Sequence, residues 1–159
     1  MTETPRPWVE ERAPLLFGGL SLIWIISGGL VAAVTGPLDL EHGSWSAAYQ
    51  VLVGGVVQAG LGAAQHALAA QRPGVPMLVA QLAAWNMGSA AVIGGTLLTM
   101  PLLVDAGGLL LVVTLVLMIR TVRGSRQGPA WALWTYRILL TITLISIPIG
   151  LVLAHLRAL

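Results

Sequence analysis

The sequence predicts an all-α integral membrane protein, a compact bundle of five transmembrane helices with its N-terminus inside and its C-terminus outside. Three observations carry that expectation. Of the 159 residues 57% are hydrophobic and only 9% charged, whereas a soluble globular domain carries about 25% charged residues. Five apolar stretches, near 15–34, 45–69, 76–98, 102–119 and 133–156, approach the length of about 20 residues that a hydrocarbon core of about 30 Å demands. The basic residues, finally, fall almost entirely on one side of those stretches.

The chain reads as a single transmembrane domain over 1–159, with 1–14 as a short cytoplasmic segment. The first span is longer than the apolar region of a signal peptide, and Glu3, Glu10 and Glu11 offset Arg6 and Arg12 ahead of it, so it is expected to stay uncleaved. Gly36 and Pro37 break the chain before the second span, and Ser44 is placed to cap that helix. Arg72, Pro73 and Gly74 precede the third. The short Thr99-Met100-Pro101 link makes the third and fourth spans a tight hairpin, with Thr99 expected to cap the fourth and Pro101 in its first turn. Arg123 to Pro129 separates the fifth span, inside which Pro148 is expected to bend the helix.

With the N-terminus inside, the cytoplasm receives Arg6, Arg12, Arg72, Arg120, Arg123, Arg126 and Arg137, leaving Arg157 outside, a strong positive-inside asymmetry. Asp39, Glu41 and Asp105 collect on the opposite face with His42 and His155. Trp131, Trp134 and Tyr136 then mark the inner interface, and Trp45 and Tyr49 the outer one. A basic set made only of arginine, among abundant Ala, Gly, Val and Leu, suits a GC-rich genome and points to a bacterial inner membrane. Topology explains the positive charge without nucleic acid as a partner.

The second span carries the most informative pattern. At about 100° per residue, Gln50, Gly54, Gln58 and Gln65 share one face of a helix. Amides in hydrocarbon seek partners on neighbouring helices, and Gln81, Asn86 and Ser89 on the third span and Thr141, Thr143 and Ser146 on the fifth are the candidates. Paired glycines at 18–19, 28–29, 54–55, 94–95 and 107–108 let helix backbones approach closely. Both features point to helix packing, within one chain or between chains. A second reading makes Gln50, Gln58, Gln65, Gln81 and Asn86 an uncharged polar path through a small transporter or channel.

Much chemistry is absent from the sequence. There is no cysteine, hence no disulfide, thiolate site or cysteine nucleophile. No charged residue occupies the middle of a span, so proton relay and ion-coupled transport lose their usual mark. Nor is there a nucleophile elbow or a phosphate-binding glycine loop. His42 and His66 lie 24 residues apart on one helix, about 36 Å at 1.5 Å per residue, and cannot share a ligand. His42 and His155 are expected at one membrane face. The leading expectation includes no cofactor; the alternative is haem b or a divalent metal held by that histidine pair with Asp39, Glu41 or Asp105 nearby.

The sequence therefore points to a non-enzymatic, helix-packing membrane component, whose partners are the lipid bilayer and either further copies of itself or other membrane subunits.

Overall fold

A computed structural model describes residues 13–69, 73–122 and 130–157, with the side chains of 150, 151 and 153–157 outside the description. Five helices fill it: α1 Ala13–Thr35, α2 Gly43–Leu68, α3 Val75–Leu97, α4 Pro101–Val122 and α5 Ala130–Arg157. All five are long and apolar enough to cross a membrane, and no strand occurs among the described residues. The chain is an all-helical, multi-pass membrane protein. Of the eight arginines, the described side chains are Arg120 and Arg137; Arg157 ends α5 with its side chain outside the description, and the other five, with the segment before residue 13, lie outside the described residues.

Successive helices alternate in direction. One end of the bundle holds Asp39, Glu41 and Asp105, and the other holds His66 and Arg120; they are called here the acidic end and the arginine end. α1 runs along the whole of α2, α3 and α4 form an antiparallel hairpin, and α5 lies against the second half of α2 and against α4. Phe17, Leu61, Leu78, Trp85, Leu111, Leu115, Met118 and Tyr136 form the shared core. α4 continues three residues past the expected boundary, through Arg120 to Val122. A charged side chain at a helix end keeps its head in the polar interface while its stem lies along the helix, so Arg120 does not terminate it.

Glycine decides how closely the hairpin packs. A Cβ on Gly88 would stand 2.9 Å from the Gly107 carbonyl oxygen, and one on Gly107 would stand 2.7 Å from that of Gly88. The two backbones are therefore in direct contact. Because lipid tails are as apolar as leucine, such van der Waals contact supplies much of what holds membrane helices together.

Both described turns at the acidic end are built alike. α1 closes with Asp39 N–H donating to Gly36 O at 3.2 Å and Leu40 N–H to Thr35 O at 3.0 Å; α3 closes with Thr99 N–H donating to Thr96 O at 3.4 Å and Met100 N–H to Gly95 O at 2.8 Å. This is the Schellman pattern, which needs a left-handed residue where glycine is usual. Here Asp39 has φ 48° and Thr99 φ 52°. Thr99 therefore ends α3 instead of capping α4, and its hydroxyl donates to Leu98 O at 2.7 Å. Ser44 likewise does not cap α2. The residue ahead of that helix is His42, which makes no side-chain capping bond, and Ser44 is exposed inside the first turn.

A left-handed residue with a Cβ is disfavoured by about 1–2 kcal/mol, less for aspartate. Thr99→Gly should therefore raise stability by about 1 kcal/mol in reversible unfolding from mixed micelles, with a smaller gain for Asp39→Gly. A loss of stability at Thr99→Gly would contradict the turn geometry.

Candidate functional site

α2 supplies most of the interior polarity. Its middle turns, Gln50–Val57, are wound as a π-helix, a rare conformation in which hydrogen bonds reach five residues along the chain. Gln50, Gly54, Gln58 and Gln65 are all buried. The structure brings three of these four residues into contacts that join neighbouring helices.

Near the acidic end, Ser27 Oγ of α1 donates to Gln50 Oε1 at 2.6 Å, and Gln50 Nε2 donates to Ser46 Oγ at 3.1 Å. Toward the arginine end, Gln65 Nε2 donates to Gln81 Oε1 on α3 at 3.0 Å, and Gln81 Nε2 donates to Thr121 Oγ1 on α4 at 3.2 Å. Thr121 passes its own proton to Leu117 O at 2.9 Å. Between these two groups, Trp24 Nε1 of α1 donates to Asn86 Oδ1 of α3 at 2.6 Å. Gly54 makes that bond geometrically available, for a Cβ there would meet Trp24 Cγ at 2.6 Å. With no side chain at that position, the indole packs against α2 and reaches α3.

Gln58 differs. It is fully buried, yet neither its Nε2 nor its Oε1 has a hydrogen-bond partner. The Trp85 Nε1 and Ser89 Oγ atoms are also buried without partners. On α5, Thr141, Thr143 and Ser146 donate to carbonyls of their own helix at 2.8, 2.8 and 2.7 Å, not to the amides of α2. Sequence reasoning missed Trp24, Ser27 and Thr121. The available signal was Trp24, a tryptophan in the middle of a span and away from the headgroups, whose N–H requires a partner inside the protein.

His66 is exposed near the end of α2, and His42 is half-buried in the turn before it. His155 lies on α5 with its side chain outside the described residues. Among the described residues no group of three or more His, Cys, Asp or Glu is placed to hold a metal ion.

Two of the cavities lined by described residues bear on the site. One, of about 20 Å³, lies at the arginine end beside Gln65, His66, Phe17 and Gly62, the size of a single water site. The other, of about 380 Å³, lies in the acidic half between α2, α3, α4 and α5, with Tyr49, Leu52, Val92, Val104, Ile142 and Thr143 among its walls. Along α2 the fully buried Gln58 and Leu61 separate them.

The hydrogen-bond pattern divides the glutamines by energetic role. Gln81→Met removes the centre of the Gln65–Gln81–Thr121 chain and should lower stability by about 1–3 kcal/mol. Gln58→Met removes an amide that has no partner to lose, and stability should hold or rise. Equal losses at both positions, measured by unfolding in the same micelles, would contradict this division.

Comparison with known proteins adds no relative to this geometry: no family model matches the chain, and no curated protein or solved structure matches it.

Proposed function

We propose that this protein is a non-enzymatic component of a bacterial inner membrane that works by packing α1 against another transmembrane helix, supplied by a second copy of the chain or by a different membrane subunit. One observation carries the proposal. α1 buries only Phe17, Ser21 and Gly28, and its outward side presents Leu15, Gly19, Leu22, Ile26, Gly29 and Ala33 at alternating spacings of four and three, every one of them exposed. That spacing is the seam of a two-helix contact. A Cβ at Gly19 or Gly29 would meet nothing within 4 Å, leaving room for a second backbone to come close.

The division of the interior amides supports a structural use of polarity. Gln50, Gln65, Gln81 and Asn86 have hydrogen bonds within the chain, so their polarity is engaged in holding helices. In this proposal the arginine end faces the cytoplasm, as seven of the eight arginines favour. The N-terminus is then inside and the C-terminus outside.

Adjacent glycines give the test. A Cβ at Gly28 would lie 2.8 Å from Val51 Cγ2 and 2.9 Å from Ala47 O, whereas at Gly29 it meets open space. Gly29→Leu should leave the protomer's stability unchanged and convert the gently extracted assembly to a smaller particle. Gly28→Leu should instead destabilise the protomer, by about 1–3 kcal/mol as overpacking does. Light scattering and mass spectrometry of the extracted particle identify whether the partner is a copy or another protein; a wild-type particle that is a bare monomer refutes the proposal. Reporter fusions after residues 40, 73, 100 and 126 should read outside, inside, outside and inside, and a cytoplasmic signal after residue 40 would reverse the orientation.

A further inference from the structure

The large cavity is independent of the α1 seam and has a definite chemistry. Its volume of about 380 Å³ falls within the range of about 300–1,000 Å³ typical of small-molecule sites. It arises because α5 packs on the second half of α2 and on α4, while beyond Thr143 its Leu144, Ile145, Ile149 and Val152 are exposed. Pro148 lies at this level and withholds a backbone bond from the preceding turn. The rim carries Leu52 on α2 and Ile142 and Ile149 on α5, all exposed in segments that cross the membrane. The mouth therefore opens sideways into lipid.

No charged residue is among the described residues that line the cavity. Asp39 and Glu41 stand exposed at this end of the bundle, and the described arginines Arg120 and Arg137 lie on the parts of α4 and α5 toward the other end. No described arginine therefore offers an anionic headgroup a partner at this end. Three hydroxyls in the wall share one character. Thr96, Thr143 and Ser146 each commit the hydroxyl proton to a carbonyl of their own helix, Val92 O at 2.8 Å, Leu139 O at 2.8 Å and Ile142 O at 2.7 Å. What these hydroxyls retain is oxygen lone pairs, which accept and do not donate. Tyr49 contributes its ring, tilted against Trp45 with centroids 5.5 Å apart, while its hydroxyl is buried without a hydrogen-bond partner.

We propose that this cavity is a binding site for an uncharged lipophile bearing a hydroxyl group, a long-chain alcohol or alkyl phenol in class, taken up laterally from the bilayer. The apolar walls accommodate the chain. The hydroxyl donates to the lone pairs of Thr143, Ser146 or Thr96, and a ligand with only acceptor atoms gains nothing from them.

The test uses the full chain in phosphatidylcholine nanodiscs, with radiolabelled nonylphenol and its methyl ether as probes and empty discs as the blank. Nonylphenol should bind saturably with one site per chain, and the ether should bind roughly threefold to tenfold more weakly, the worth of one net hydrogen bond. Thr143→Val keeps the wall's shape and should narrow that preference without weakening the ether. Ser146→Trp, placed at an exposed position on the mouth, should abolish saturable binding. Leu52→Trp on the opposite rim serves the same purpose should Ser146→Trp fail to fold. No saturable excess over empty discs, equal affinity for phenol and ether, or unchanged binding in a folded rim variant would each overturn the proposal.

Discussion

Inside a bilayer there is no water to hydrogen-bond a buried amide and no hydrophobic force to press helices together. Polar side chains must therefore find their partners within the protein, and the search for partners sets which helices touch. The chain from Gln65 through Gln81 to Thr121 ties α2, α3 and α4 at one level. Ser27 with Gln50, and Trp24 with Asn86, bring α1 to α2 and to α3. Each such bond contributes about 0.6–2 kcal/mol in a membrane. These bonds also favour specificity: an arrangement that breaks them strands Gln50, Gln65 and Gln81 as Gln58 is already stranded.

Small residues make that network geometrically attainable. Gly54 lets the Trp24 ring lie on α2, and Gly88 and Gly107 bring the backbones of α3 and α4 into contact. Without such approach, side chains as short as Ser27 and Thr121 would not reach their partners. The same residue type serves a different purpose at Gly19 and Gly29, where no neighbour of this chain is present. Inward glycines fix the protomer, and outward ones leave a surface that another helix can meet.

α5 is attached by other means. Its Ala132 and Tyr136 join the common core, but Thr141, Thr143 and Ser146 spend their protons on their own helix. A helix held by packing at one end and free of those polar ties at the other leaves space beside its second half. That space is the cavity, and its acceptor-only hydroxyls are a consequence of the same local bonding.

The sequence by itself determined the class and the number of spans, because the length of an apolar run and the rarity of charge within it depend on the solvent alone. It also determined that Gln50, Gly54, Gln58 and Gln65 point inward, since amides in hydrocarbon seek partners on neighbouring helices. Partners were not legible in it. Gln81 and Asn86 were recognisable as candidates, but Ser27 and Thr121 look like any hydroxyl on an apolar helix, and only the approach of α1 to α2 and of α3 to α4 gives them their roles. Thr99 looked like a cap because threonine favours that position. The left-handed turn that makes it a helix terminator usually takes glycine, so no local signal was present. The cavity was invisible for the same reason as the isolation of Gln58: a void is a property of how five helices diverge in space, and no residue encodes it alone.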